Sequence, residues 1–119
     1  MDKELLAQYG ISYDKGLDNC MGDEELYALL LPMFLEDDSF ARAKAAYEAR
    51  DYETMFRCAH ELKGVSGNAA LTELQGKVEP LVELLRVGTE EEKESRTGDL
   101  FAEVEKAYQR TREGVEKGL

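Results

Sequence analysis

The stretch Ala59-His60-Glu61-Leu62-Lys63-Gly64-Val65-Ser66-Gly67-Asn68 holds the only histidine of the chain together with two glycines. Its apolar residues follow a helical pattern, although each glycine inside a helix costs about 1 kcal/mol relative to alanine. On a helical wheel of about 100° per residue, Met55, Leu62 and Ser66 fall on one apolar face. His60 points away from that face. The sequence therefore predicts a helix that holds one imidazole out to solvent.

The wheel also predicts bare and cationic surroundings for His60. Gly64 and Gly67 border the imidazole, and Lys63 lies on the same exposed side. Phe56 falls near the imidazole too, although it is equally expected to cover a neighbouring helix. A helix optimised only for stability would not carry two glycines here. The pattern favours an imidazole that another macromolecule approaches closely over a surface histidine without a role.

Apolar spacing along the rest of the chain predicts an all-α protein with no strand-like alternation. The expected fold class is an antiparallel four-helix bundle over residues 23–117, preceded by short helices within residues 1–22, in one domain of 119 residues. The first two bundle segments are either continuous or separated by one bend. The predicted helices cover residues 5–9, 14–20, 23–36, 38–50, 51–69, 72–87 and 89–117.

Prolines and glycines predict irregularities in these helices. Pro32 should kink or end its helix, and Pro80 should bend another near residues 77–79. Gly98 should weaken the first turns of the last helix, while Gly114 and Gly118 should let its end fray. Helix N-caps are predicted at Asp51 and Thr72, and a capping box at Thr89 and Glu92.

Two apolar groups lie in the N-terminal third. The first is expected to pack on the main body and comprises Leu17, Cys20 and Met21. The second recurs at helical spacing and comprises Leu26, Tyr27, Leu30, Met33 and Phe34.

Composition and charge exclude several classes of function. Fifteen lysines and arginines against 26 acidic residues give a net charge of −11, so we expect neither nucleic-acid binding nor attraction to anionic membranes. A single histidine rules out a histidine-rich metal site. Cys58 and His60 lie about 200° apart on a helix, so they cannot share a ligand. No phosphate-binding glycine loop occurs, and we expect no cofactor or metal in this chain.

The chain shows no sign of a targeting segment. It starts with the polar run Met1-Asp2-Lys3-Glu4, and no apolar run approaches the roughly 20 residues that cross a bilayer. Cys20 and Cys58 form no disulfide or metal-ligand spacing. We therefore expect a cytoplasmic monomer, and the start at Met1 favours a free-standing protein over a piece of a hybrid kinase.

The central stretch resembles the histidine-containing phosphotransfer (HPt) domain family. That family carries an alanine-histidine pair followed by Leu-Lys-Gly, a small-residue stretch and a leucine, which correspond here to residues 59–70 and Leu74. Residues 22–27, 34–37 and 49–52 look like the family as well. The resemblance covers residues 17–87, and the last helix matches only in pattern. Ala70 departs from it, because many members have glycine there, so the following turn is expected to differ slightly.

The resemblance implies that His60 accepts a phosphoryl group from an aspartyl phosphate of a response-regulator receiver domain and passes it to another receiver. Lys63 would offset charge on the phosphoryl oxygens, and Gly64 would keep the approach open. Phe56, Arg57 and Gly67 would contact the partner. Such a carrier has no catalytic centre of its own, and the metal ion comes with the receiver.

Two other functions remain open from the sequence. The first is an HPt-like adaptor that binds a receiver or a kinase partner, such as a hybrid sensor kinase, without accepting phosphate. The second is a structural bundle with no partner. No acidic residue is clearly placed to orient His60, since Glu61 lies about 100° away and Glu53 about two turns back. This favours a shuttle between receivers over a partner of a kinase catalytic domain.

Overall fold

Capping side chains mark where most of the helices begin. Asp2, Ser12, Asp23, Asp51 and Thr89 each precede a helix, and each accepts a hydrogen bond from the backbone N–H three residues on. Such bonds satisfy donors that have no partner inside the helix. The computed structural model describes residues 1–119, with seven α-helices: α1 (Lys3–Gln8), α2 (Tyr13–Asn19), α3 (Glu24–Met33), α4 (Ser39–Glu48), α5 (Tyr52–Asn68), α6 (Thr72–Val87) and α7 (Glu90–Gly118).

Helices α4 to α7 form an antiparallel four-helix bundle. It begins at residue 39 instead of residue 23 as predicted, because α3 is a separate helix that precedes the four. Short turns connect them, so each helix packs against the next one along the chain. The bundle closes between α7 and α4, where the Phe40 ring stacks on the rings of Phe101 and Tyr108 at centroid distances of 5.3 and 4.1 Å. The Lys44 Nζ to Glu105 Oε2 ion pair, 3.0 Å long, spans the same junction. The all-α fold class is therefore confirmed.

The two segments predicted over residues 23–36 and 38–50 are separate helices. Helix α3 ends one residue after Pro32, as predicted, and passes into a single 3₁₀ turn over Phe34–Glu36. Asp37 is then extended, and its carboxylate accepts a hydrogen bond from the backbone N–H of Ser39 at 3.0 Å. Helix α4 therefore starts as a separate helix at Ser39.

The start of α6 differs from the prediction. Thr72 lies inside the helix instead of capping it, and its hydroxyl donates to the carbonyl oxygen of Gly10 at 2.8 Å. The backbone N–H of Glu73 donates to the same oxygen at 3.0 Å. The segment before α2 therefore supplies the acceptor for the first turn of α6. Farther along, α6 continues through Pro80 to Val87.

Helix α7 does not fray at its glycines, so that prediction was wrong. Gly114 and Gly118 are buried, and an added Cβ would overlap Tyr9 at the first position and Leu6 at the second. The missing side chains allow α1 to pack closely on the last turns of α7. The backbone N–H of Asp2 also donates to the carbonyl oxygen of Gly118 at 2.9 Å. The contact with α1 offsets the weak helix propensity of glycine.

Candidate functional site

The helix that carries His60 is α5, and its polarity follows the prediction. Asp51 caps its N-terminus, and hydrogen bonds from the Thr54 side chain and backbone lower the pKa of the Asp51 carboxyl. Ser66 is buried with the apolar face and donates to the Lys63 carbonyl at 3.0 Å. The buried residues are Met55, Cys58, Ala59, Leu62 and Ser66.

His60 lies on the exposed side of α5. The half-buried ring of Phe56, one turn earlier, lies 6.0 Å from the imidazole between centroids, with the planes 43° apart. Phe56 also packs against the core, as expected of a residue that covers a neighbouring helix, and its contact with a partner stays a prediction. One side of the imidazole therefore has an apolar neighbour, and the rest faces solvent.

The two glycines beside His60 have different surroundings. Gly64 is exposed, and an added Cβ would meet no atom within 4 Å. Gly67 is half-buried, and an added Cβ would lie 3.1 Å from Nε2 of Gln75 in α6. Gly64 thus leaves open surface next to the imidazole, whereas Gly67 makes room for the neighbouring helix. The contact of Gly67 with a partner stays a prediction.

Lys63 is a free cation in a strongly acidic protein. Its side chain is partly exposed and has no carboxylate oxygen within 4.0 Å. By contrast, twelve of the fifteen lysines and arginines form ion pairs, and the other two exceptions are Lys15 and Arg50. An unpaired ammonium group one turn after His60 is available to an anion that arrives at the imidazole.

The carboxylates nearest to His60 in the sequence are both held by arginines. Oε1 of Glu53 accepts from Arg57 on the same helix at 3.2 Å. Oε2 of Glu61 accepts from Nη2 of Arg42, in α4, at 2.6 Å. The hydrogen bonds to Glu61 and then to Asp38 raise the pKa of Arg42. Arg57, which we expect at the partner interface, is exposed on the His60 side of α5.

An apolar surface on α3 was missed from the sequence. Leu26, Leu29 and Met33 are 45%, 69% and 63% exposed. The residues of α3 that are buried in the core are Tyr27 and Leu31. Leu29 repeats from Leu26 and Met33 from Leu29 at spacings of three and four, which gives α3 a second apolar stripe. That second stripe was the available signal. We call Leu26, Leu29 and Met33 the α3 surface.

Met33 of the α3 surface approaches α5 near the C-terminal end of that helix. A cavity of about 170 Å³ separates the two helices, and Met33 and Leu30 line it from α3 while Val65 and Asn68 line it from α5. Asn68 follows His60 by two helical turns, or roughly 12 Å along the axis. Met33 therefore lies across this cavity from the last turn of α5, about two turns from His60.

The end of α5 is fixed by side chains from the N-terminal helices. The amide of Asn19 donates to the carbonyl oxygens of Gly67 and Asn68 at 3.2 and 3.3 Å. The buried hydroxyl of Tyr27 donates to the Ala69 carbonyl at 2.7 Å. These bonds satisfy carbonyls that have no partner within the helix.

The turn between α2 and α3 corrects one sequence prediction. Cys20 is buried as expected, but Met21 is 92% exposed and does not pack on the main body. Its φ of +55° and that of Gly22, +79°, turn the chain sharply away from α2. The side chain of Met21 consequently projects into solvent.

The comparison with known families identifies the chain. A family model described as Hpt domain matches residues 29–114, which is most of the sequence and includes α5 and most of α7. The chain belongs to the Hpt domain family. The match begins at residue 29 instead of residue 17, and it continues past residue 87 into most of α7. Neither the curated proteins nor the solved structures contain a significant match.

Membership of the Hpt family fixes the general activity. Hpt domains are phosphotransfer carriers that act through a histidine in two-component systems, with receiver domains and kinases as partners. No helix of this Hpt domain is both long enough and apolar enough to span a membrane.

Proposed function

We propose that this Hpt domain relays phosphoryl groups through His60, from an aspartyl phosphate on one receiver to the aspartate of a second receiver. The observation that carries the proposal is the exposed imidazole of His60 beside the open surface at Gly64. In a helical bundle of this family, that position gives a receiver free access to a nucleophile.

The transfer step exchanges one bond to phosphorus for another. An uncharged ring nitrogen attacks the phosphorus of the aspartyl phosphate, the N–P bond forms, and the P–O bond to the aspartate breaks. The aspartate carboxylate leaves with the electron pair. A histidine imidazole serves as nucleophile because it is partly uncharged near neutral pH. Delivery to the second receiver runs the same step in reverse.

Phosphoryl transfer depends mainly on in-line alignment and on charge neutralisation. In this proposal the receiver brings its own metal ion and aspartate, so the Hpt domain acts as a carrier without a catalytic centre. Lys63 contributes the neutralising charge on this side, and its lack of an ion pair supports that role. Gly64 contributes space, since a side chain there would stand beside the attacked phosphorus.

The receiver is expected to dock across α5 and onto the α3 surface. Interfaces between proteins have an apolar centre with aromatic residues, methionine and arginine enriched. The α3 surface provides exposed leucines and a methionine, and Phe56 and Arg57 provide a ring and a cation near His60. Along α5, His60 lies between Phe56 and the C-terminal end that Met33 approaches, so a receiver seated on both groups would cover the imidazole.

A phosphorylation assay tests the proposal. Wild-type protein and His60→Gln are each incubated with a phosphorylated receiver domain, and the label is tested for stability in acid and in base. We expect acid-labile, base-stable phosphate on the wild type alone. Label on His60→Gln would refute the assignment of the histidine. Receiver binding that leaves the wild type unlabelled would identify an adaptor instead of a carrier.

A further inference from the structure

We propose that Arg42 is a positioning residue for phosphoryl transfer at His60, because it holds and neutralises the carboxylate of Glu61. This inference rests on the proposed phosphorylation of His60. Arg42 lies on α4, so it acts on the reaction from a neighbouring helix and without touching the phosphoryl group.

Two contacts join Arg42 to the segment around His60, and a third orients its guanidinium. Its Nη2 donates to Oε2 of Glu61 at 2.6 Å, and its Nη1 lies 3.7 Å from Sγ of Cys58. Its Nε donates to Oδ1 of Asp38, one turn earlier on the same chain, at 3.0 Å. The guanidinium therefore joins the residue after His60 to the residue two places before it, and Asp38 fixes its orientation.

The electrostatic need for this contact follows from the charge of the transferred group. A phosphoryl group brings about two negative charges, and a free carboxylate on the adjacent residue repels them. Salt screens such repulsion over a Debye length of roughly 8 Å at physiological ionic strength. Glu61 is the carboxylate nearest to His60 along the chain, and Arg42 is the cation that binds it. The pair is about half exposed, 45% and 49% for the two side chains, so its effect is moderate.

The test compares the rate of His60 phosphorylation in matched variants. Two donors are used, a phosphorylated receiver domain and phosphoramidate, a small donor that needs no docking surface. We expect Arg42→Ala to slow phosphorylation by both donors about two- to fivefold at low salt. Arg42→Lys, which keeps the charge, should stay near the wild-type rate.

A second substitution separates electrostatics from folding. If Arg42 acts by neutralising Glu61, then the double variant with Arg42→Ala and Glu61→Gln should regain the wild-type rate, because the repelling charge is gone. The defect of Arg42→Ala alone should also shrink as salt is raised to about 1 M, where the Debye length falls to roughly 3 Å. If Arg42 had a purely structural role, neither the Glu61→Gln substitution nor high salt would restore the rate.

Lys44→Ala provides the control for loss of an ion pair on α4. Lys44 pairs with Glu105 of α7 at 3.0 Å and is similarly exposed, but the pair lies between α4 and α7 instead of at α5. Lys44→Ala should therefore leave the rate of His60 phosphorylation unchanged. A wild-type rate in Arg42→Ala, an unrecovered double variant, or an equal defect in Lys44→Ala would each overturn the proposal. Absence of label on wild-type His60 would refute the proposed function itself.

Discussion

Gly64 follows His60 by one helical turn on the exposed side of α5, and the space above it is empty. Because an alanine there meets no atom, we expect Gly64→Ala to stabilise the protein by about 0.5–1 kcal/mol through its higher helix propensity. The same methyl group should obstruct the receiver and slow phosphoryl transfer. Urea unfolding and the transfer assay measure the two effects.

Gly76, an exposed helical glycine of α6 with equally open surroundings, gives the matched control for this variant. Gly76→Ala should stabilise the protein to a similar extent and leave transfer unchanged. If Gly64→Ala transferred phosphate at the wild-type rate, the open surface at Gly64 would have no part in the function.

The unpaired ammonium of Lys63 predicts a transfer defect without a stability defect. Replacing it by alanine removes no ion pair, so the free energy of unfolding should change by less than about 0.5 kcal/mol. Loss of one charge-assisted contact to the phosphoryl oxygens should slow transfer roughly tenfold. Lys15→Ala removes another unpaired lysine, and it should change neither the free energy of unfolding nor the transfer rate. Equal transfer rates in the two variants would contradict the role of Lys63.

If the α3 surface binds the receiver, a charged residue placed on it should weaken receiver binding. Leu29 is 69% exposed, so Leu29→Glu should fold normally and yet weaken receiver binding by about tenfold or more, because a buried unpaired carboxylate is costly in an interface. Val87 is 61% exposed at the far end of α6, and Val87→Glu should bind normally. Titration calorimetry with a receiver domain measures both. Equal affinities would place the interface elsewhere.

The backbone at Ala70 predicts an unusual response to glycine. Ala70 has a φ of +59°, which costs an alanine about 1–2 kcal/mol, and relief of that strain should offset the loss of its buried methyl group. Ala69 is also buried but has a φ of −89°. We expect Ala69→Gly to destabilise the protein by about 1–2 kcal/mol and Ala70→Gly to be nearly neutral. Thermal unfolding of both variants checks this, and equal losses would contradict the strain.

Tyr27 predicts an alkaline dependence of stability. Burial raises the pKa of Tyr27 to about 12, above the value near 10 of an unfolded tyrosine. The folded state therefore holds the proton more tightly, and this stabilisation is complete below pH 10 and is lost as the pH rises through 12. Tyr27→Phe should cost about 1–2 kcal/mol at pH 8, because the Ala69 carbonyl loses its donor. Urea unfolding measures the difference in the free energy of unfolding between wild type and Tyr27→Phe. This difference should shrink by about 1 kcal/mol at pH 11, and a constant difference would contradict the raised pKa of Tyr27.

The bundle was predictable because the signals that start its helices and define their buried faces are local in the sequence. Capping residues such as Asp51 and Thr89 act over three residues, and a buried stripe repeats within a single helix. The outward direction of His60 follows from the same periodicity. These features depend on neighbours in the sequence, so a helical wheel is sufficient to find them.

The missed features depend on contacts between distant segments. The burial of Gly114 and Gly118 requires α1, which lies more than a hundred residues earlier. The pairing of Glu61 requires Arg42 on another helix. The exposure of Leu26 and Met33 reflects which of two apolar stripes on α3 the bundle covers, and helical spacing alone does not decide that.

The hydrogen bond from Asp2 to Gly118 brings the two ends of the polypeptide together. A chain that enters this domain and a chain that leaves it do so at neighbouring points. The ends can consequently be joined by a short linker, with new ends opened in a surface turn, and α1 would still lie on α7. The same arrangement lets the domain be inserted into a loop of a host protein without stretching either junction.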